Sequence, residues 1–229
     1  MLKPKKKITK RELKEDALIT TYAKVTGWYE QNKRTINITL GSLLALVIIV
    51  VVYLNNRSAN NEKATAQLGQ VFAYYDNGQY LVAIDGVPER NIAGLRSIVD
   101  NYGGTDAGDL ARFYLAGSLF QLGRYDEALE QYEDFGPDDP LLTVSRLAGI
   151  AACLEAKGDA GGAASSFEKA ATRYAGDPSA AENLSNAARN YLQAGNKERA
   201  LELYRKLKKD HPASTYARDV DRYIAQLSS

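Results

Sequence analysis

Cysteine and histidine are the side chains on which a Cys-His or Ser-His-Asp device depends, and the sequence has one of each, Cys153 and His211. A serine–histidine or cysteine–histidine catalytic device would have to use one of them together with suitable neighbours. Cys153 lies in an apolar helical pattern with Ile150 and Leu154, which is typical of a small core residue. His211 precedes Pro212 at an expected helix end, where a surface histidine interacts favourably with the helix dipole. We therefore expect that the protein is not an enzyme.

Two further patterns resemble ligand sites but lack parts of them. Gly103-Gly104-x-x-x-Gly108 lacks the Gly-Lys-Ser/Thr ending of a phosphate loop and does not follow a strand, so it indicates a loop between helices. The acid pair Asp138-Asp139 precedes a proline, which is typical of a solvated turn rather than an acid/base pair or a calcium site. The single cysteine also excludes an intramolecular disulfide. We expect no catalytic residue, metal, cofactor or small-molecule substrate.

The elements that organise the chain begin with a run of 22 residues without a charge, between Arg34 and Arg57. Thirteen of the 19 residues from Ile36 to Leu54 are Ile, Leu or Val. Nineteen helical residues reach ~28 Å, about the thickness of the hydrocarbon core of a bilayer. The run predicts a transmembrane helix over residues 35–55, with no charged residue of the kind that transport or a proton relay requires.

The charges on the two sides of this run predict its orientation. Residues 1–34 hold ten Lys or Arg and four acids, whereas the remainder holds 19 basic and 24 acidic residues. Basic flanks stay in the cytoplasm, so we expect a cytoplasmic N-terminus and an exported C-terminal part. A cleaved signal peptide is the main alternative, with Ala64-Thr65-Ala66 as the small-x-small site. The basic region and the apolar run are both longer than a signal peptide needs, which favours a retained anchor.

Residues 1–34 form a basic cytoplasmic tail, which we expect to be partly an amphipathic helix. Its apolar positions recur at helical spacing at Leu18, Tyr22, Val25 and Tyr29. This part could lie on the inner leaflet or on a partner, or it could be a frayed tail in which Trp28 and Tyr29 anchor the span at the interface. Lys3 to Lys7 are expected to contact anionic lipid headgroups, and nucleic acid is not an expected partner. The polar residues 56–63 form a short linker, either a hinge or the start of a helix.

The remaining residues, 64–229, repeat one pattern around the turn glycines Gly78, Gly123, Gly158 and Gly195. Five residues after each glycine comes an alanine, and in the last three copies an aromatic residue follows four positions later. The alanines are Ala83, Ala128, Ala163 and Ala200, and the aromatic residues are Tyr132, Phe167 and Tyr204. The glycines are 45, 35 and 37 residues apart. Periods of this length with paired helices predict a stacked helical solenoid of three to four repeats.

The best copy, Gly123 to Ala128 followed by Tyr132 and Pro140, resembles the tetratricopeptide repeat. The last copy is similar, with Tyr191, Ala200, Tyr204 and Pro212 at matching positions. The resemblance covers residues 107–212, and 64–106 with fewer matching positions; Arg112, Leu147 and Leu184 replace the usual early tryptophan. It implies an all-α fold, with a single N-terminal transmembrane helix followed by a tetratricopeptide-type solenoid of helical hairpins. Such repeats are protein-binding scaffolds.

The layout of basic tail, single span and exported repeats resembles the bacterial ancillary Sec-translocon subunit family. The segment from Gly94 to Gly108 also looks like the link between the first two repeats of that family. The resemblance implies a single-pass inner-membrane protein with periplasmic repeats that cooperates with the translocon and with chaperones. A structural scaffold subunit of another inner-membrane complex is the alternative.

In this repeat family, the first helix of each pair lines a peptide-binding groove. When the groove positions of the family are placed on the matching positions of each repeat in this sequence, they give a candidate groove. Its N-terminal half is apolar and its C-terminal half is polar. Its members are Leu68, Phe72, Tyr75, Leu110, Phe113, Phe120, Gln121, Glu155, Glu182, Arg189 and Gln193. We expect it to accept apolar segments of other proteins. The alternative is that the aromatic side chains pack against a neighbouring helix of the same chain.

Overall fold

The structure is a computed structural model that describes residues 10–136, 139–174 and 176–228. Lys3 to Lys7 and Asp138 of the patterns above lie outside the described residues. The predicted all-α fold is confirmed, with one short hairpin besides the helices. The helices are α1 (Lys10–Asp76), α2 (Tyr80–Asp85), α3 (Leu95–Tyr102), α4 (Asp106–Gln121), α5 (Tyr125–Asp134), α6 (Pro140–Ala156), α7 (Ala160–Arg173), α8 (Ala180–Gln193), α9 (Lys197–Asp210) and α10 (Val220–Ser228). The chain divides into two units, Met1–Asn56 and Arg57–Ser229.

The first unit contains the uncharged part of α1. Thirteen large apolar side chains between Ile38 and Leu54 are each 45–65 % exposed. The hydroxyls of Thr39 and Ser42 donate to carbonyls of their own helix at 2.9 Å, so these two hydroxyls are satisfied locally. Among the described residues, one helix is long and apolar enough to cross a membrane, and it contains this run.

The second unit begins with the last part of α1 and an interrupted partner helix. A hairpin of strands β1 (Gly86–Val87) and β2 (Ile92–Ala93) separates α2 from α3, with Gly86 opposite Ala93. The inserted segment 86–94 has nine residues, and without it the 45-residue spacing of the first two turn glycines becomes 36, like the others. Gly94 is required there, because a Cβ would stand 2.2 Å from the carbonyl oxygen of Ile84. The first repeat is therefore complete but interrupted.

Three regular hairpins follow, α4–α5, α6–α7 and α8–α9, and all four turns of the unit share one geometry. Gly78, Gly123, Gly158 and Gly195 have φ between 72° and 85°, the left-handed region that favours glycine. In each turn, the residue after the glycine donates its N–H to the carbonyl five residues earlier, at 2.8–2.9 Å. This is the Schellman motif, which ends the first helix of each pair at the same point.

The core is filled by the small and aromatic positions of the repeat. Ala83, Ala128, Ala163 and Ala200 are completely buried, and Tyr132, Phe167 and Tyr204 are at most 7 % exposed. The alanines allow close approach of two helices, and the rings fill the space between successive hairpins.

The helix α10 packs on the hairpin α8–α9, and the repeat pattern does not include it. Its Val220 is completely buried, and the ring of Tyr223 stacks on Tyr204 with centroids 5.1 Å apart. The apolar spacing of Val220, Tyr223, Ile224 and Leu227 is the signal from which this helix could have been predicted.

Candidate protein-binding face

The apolar half of the candidate groove is built on an aromatic cluster between α1 and α4. The ring of Tyr114 lies 5.1 Å from that of Phe72 and 4.9 Å from that of Tyr75, measured between centroids. Phe72 and Tyr75 are themselves 5.9 Å apart. Transfer by repeat phase missed Tyr114, although it lies one turn after Leu110 on the same side of α4.

A cleft of about 330 Å³ opens beside this cluster. It is lined by Thr65, Leu68, Gly69, Phe72, Leu110 and Tyr114. Leu68 is buried at its base, and Phe72 is 38 % exposed at its edge. No described residue that lines the cleft carries a charge, and the nearby Tyr75 stays neutral because burial and the neighbouring tyrosines raise its pKa. The cleft is suited to an apolar side chain of another protein.

Phe113 and Phe120 are placed differently from Phe72. The ring of Phe113 lies 5.7 Å from Tyr132 and 5.5 Å from Phe135, so it packs between α4 and the end of α5. Phe120 contacts Tyr125 across the turn, with centroids 5.4 Å apart. Both rings are half-buried. These contacts correspond to the alternative given above, in which the aromatic side chains pack within the chain and do not line a peptide groove.

The polar half of the candidate groove contains an ion pair between neighbouring hairpins. Arg189 Nη1 in α8 lies 2.8 Å from Glu155 Oε1 in α6. Glu182 lies near Tyr216, whose pKa is raised mainly by desolvation and also by this carboxylate. Gln121 and Gln193 are not buried. A ligand of this half would therefore have to compete with contacts that the chain already makes.

The geometry of the cleft depends on the polar residues 56–63, which are helical in the structure. The Arg57 guanidinium donates to the carbonyl of Gly104 at 3.0 Å and pairs with Asp106 at 2.9 Å. Asn61 Oδ1 accepts the N–H of Ala107 at 2.8 Å. This N–H lies in the first turn of α4 and has no partner within its helix. The polar stretch thus holds α1 against the start of α4.

Cys153 and the glycine-rich segment that ends at Gly108 are placed where they serve the packing of the fold. Cys153 is completely buried, and burial raises the pKa of its thiol to about 11. A protonated, enclosed thiol is unreactive at neutral pH. Gly108 packs on the end of α3, where a Cβ would stand 2.0 Å from the carbonyl oxygen of Tyr102. In the part of the chain that the structure describes, no group of three His, Cys, Asp or Glu side chains could hold a metal ion.

Comparison with known proteins identifies the hairpins. The sequence model of the tetratricopeptide repeat matches residues 110–136 and 182–214, which cover most of the hairpins α4–α5 and α8–α9. A crystal structure of a putative kinesin light chain from Podosopora anserina, with nearly identical TPR-like repeats, has a TM-score of 0.56 and 17% identity. The match covers 73% of this chain and 86% of that one. A crystal structure of a point variant of the same protein has a TM-score of 0.56 and 16% identity, and the match covers 73% and 85%. No curated protein matches the sequence.

At this identity, the likeness to the solved structures shows the fold alone. Together with the sequence matches, it shows that the chain carries tetratricopeptide repeats. Such repeats form a protein–protein interaction module, and a catalytic centre is not typical of them.

Proposed function

We propose that the chain is a single-pass protein of the bacterial inner membrane, with its basic tail in the cytoplasm and its repeats in the periplasm. There the repeats act as an accessory, chaperone-like module for the Sec translocon or for the proteins that it exports. The observation that carries the proposal is the exposed apolar run from Ile36 to Leu54 in the same chain as a set of protein-binding repeats.

A bilayer accounts for this run better than water does. Soluble monomers rarely expose contiguous apolar patches larger than several hundred Å². Thirteen large side chains at 45–65 % exposure, on all sides of one helix, exceed what a soluble helix presents. Since the hydroxyls of Thr39 and Ser42 bond to carbonyls of the helix itself, insertion of the helix leaves neither of them unpaired.

The proposed orientation in the membrane and the proposed association with the Sec translocon rest on the sequence. The excess of Lys and Arg before the span favours a cytoplasmic N-terminus. The order of tail, span and repeats, with the segment from Gly94 to Gly108, resembles the ancillary Sec-translocon subunit family. In this arrangement, lipid contacts come from the span and the basic tail, and protein contacts come from the repeats.

The cleft beside Phe72 is the docking place that we assign to an apolar segment of a client protein. It is open, uncharged and lined by aromatic and aliphatic side chains. An unfolded exported chain presents such segments until it folds, and a shallow cleft would hold them weakly and reversibly.

Affinity purification of the full chain from membranes in mild detergent, followed by mass spectrometry, tests the proposed association with the Sec translocon. We expect translocon subunits together with many exported polypeptides in small amounts. A fixed ratio to one other complex, without translocon subunits, would replace the proposal with that of a structural scaffold subunit.

A photo-crosslinking residue at position 72 tests the cleft. We expect adducts with exported proteins from position 72, and few from the control position 81, because Leu81 is 59 % exposed but lies on α2, away from the cleft. Equal labelling from both positions would contradict the assignment of the cleft.

A further inference from the structure

A second cavity, of about 460 Å³, lies between α6 and α7 and is lined by cations. This basic pocket consists of Thr143, Arg146 and Leu147 from α6 and Lys169, Thr172 and Arg173 from α7. Lys169 and Arg173 lie one turn apart on α7, and both reach solvent, while Leu147 is half-buried. Residues 35–229 have five more acids than bases, so this cluster differs in sign from the sequence around it.

The neighbouring repeats show how the same position is normally neutralised. In the repeat before, Arg112 and Asp134 occupy the positions of Leu147 and Lys169, and they pair across the hairpin at 3.4 Å. In the repeat after, Lys206 and Asp210 occupy the positions of Lys169 and Arg173, and they pair at 2.6 Å. In the basic pocket both of these α7 positions carry cations, and no acid among the described residues pairs with either of them within 4.0 Å.

Among the residues that the structure describes, the nearby groups do not supply the missing negative charge. Glu168, beside Lys169 in sequence, is bound by Arg199 of α9 and by the hydroxyl of Tyr191. Arg146 donates to the carbonyls of Tyr132 and Glu133 at the end of α5, at 2.9 and 3.1 Å, and pairs with no carboxylate of the described residues. Two cations of this pocket are therefore open to an external acid.

The basic pocket is separate from the candidate groove. Arg146 and Glu155 are nine residues apart on α6, which at ~100° per residue places them on opposite sides of the helix. A ligand of the pocket would approach the hairpin from the side that the groove residues leave free, so the two sites can be occupied together.

We propose that the basic pocket binds an acidic segment of a partner protein through two carboxylates in a Glu-x-Glu arrangement. Lys169 and Arg173 are four residues apart, a rise of ~6 Å along the helix. In an extended peptide, residues i and i+2 are ~6.6 Å apart and point to the same side, so one carboxylate faces each cation. The apolar floor of Leu147 favours the methylene groups of glutamate over a compact phosphate. The arginine adds bidentate geometry to one of the two contacts.

The test uses the full chain in detergent and a fluorescent, end-blocked octapeptide with a central Glu-Ala-Glu. We expect binding by anisotropy at ~0.05 M salt, where the screening length exceeds ~10 Å. The double variant Lys169→Glu, Arg173→Glu should weaken binding at least about tenfold, and Lys169→Gln, Arg173→Gln should weaken it less. The corresponding peptide with Gln-Ala-Gln should not bind.

The double variant Arg205→Glu, Lys209→Glu is the matched control, with the same charge change and spacing on exposed positions of α9. We expect it to bind within about twofold of the unmodified chain, since only the general field changes. Equal losses in both double variants, or no binding by the unmodified chain, would overturn the proposal.

Inorganic phosphate and glycerol 1-phosphate, as a lipid-headgroup mimic, are tested as competitors. If either displaces the peptide where sodium chloride of equal ionic strength does not, the pocket is a phosphate site and the peptide assignment is wrong. The Lys169→Glu, Arg173→Glu variant could instead lower the unfolding midpoint and leave peptide binding unchanged. In that case the two cations only stabilise the C-terminal end of α7 through the helix dipole, and the proposal also fails.

Discussion

The ring of Tyr132 in α5 lies directly on Gly149 of α6, so closely that a Cβ at position 149 would stand 2.5 Å from the ring carbon Cζ. Elsewhere in a helix, glycine is less favourable than alanine by up to ~1 kcal/mol. Here the missing side chain lets two successive repeats touch. The repeat aromatic and this glycine therefore form one packing unit.

We expect Gly149→Ala to destabilise the domain by ~1–3 kcal/mol, because the clash outweighs the gain in helix propensity. Urea unfolding of the full chain in detergent measures this. Gly161→Ala, in α7 with only Asp159 near the added Cβ at 3.8 Å, should be neutral or stabilising. The pair Gly149→Ala with Tyr132→Leu should recover part of the loss, since the shared contact couples the two sites. Equal effects at positions 149 and 161 would contradict the contact.

Phe113 and Phe72, which the repeat pattern assigns to the same groove, have different surroundings in the structure. Phe113→Ala should cost ~3–5 kcal/mol of unfolding free energy, because its ring packs on Tyr132 and Phe135. Phe72→Ala should cost well under half of that, because Phe72 is 38 % exposed. Urea unfolding of the two variants measures both losses of stability. A larger loss for Phe72→Ala than for Phe113→Ala would mean that the cleft is a closed core.

Asn61 is expected to fasten α1 to the start of α4. Asn61→Leu removes the acceptor of the Ala107 N–H, with an expected loss of ~1 kcal/mol, as for a helix cap. Hydrogen exchange at Ala107 should become faster, whereas Asn61→Asp keeps an acceptor oxygen and should keep the protection. An unchanged exchange rate in Asn61→Leu would show that another group bonds to this amide.

The buried thiol predicts a loss of stability at alkaline pH. The pKa of Cys153 is about 11 in the folded chain and ~8.5 for an unperturbed thiol. The unfolded chain therefore releases this proton first, and the contribution to stability is complete below about pH 8.5 and is lost as the pH rises towards 11. Cys153→Ala should flatten this part of the pH profile in urea unfolding. Labelling with iodoacetamide should require unfolding, and rapid labelling of the folded chain would contradict the burial.

The sequence predicts the repeats well because their signals are local. A turn that needs φ above zero requires glycine, and a close helix contact requires alanine, so Gly123 and Ala128 can be recognised without knowledge of their neighbours. The hairpin at 86–94 was not predicted, because it only lengthens one interval between glycines. Tyr114 was missed because the transferred positions are an average over a family, whereas its ring is placed by Phe72 and Tyr75 on another helix.

The contact of Asn61 with Ala107 joins residues that are 46 apart in sequence. No local pattern indicates such a pair, since an asparagine in a polar stretch is typical of a linker as well as of a cap. The basic pocket depends in the same way on a comparison between repeats, in which the partner acid of one hairpin is replaced by a cation in the next.

The helix α10 decides whether another repeat can pack on the hairpin α8–α9. Its apolar side covers Tyr204 and the end of α9, and Asp221 and Arg222 are exposed to solvent. A stack without such a cover would end in a surface shaped to receive another repeat, from another copy of the chain. With the cover in place, no further hairpin can pack on Tyr204 and the end of α9, so this surface is closed to a second copy of the chain.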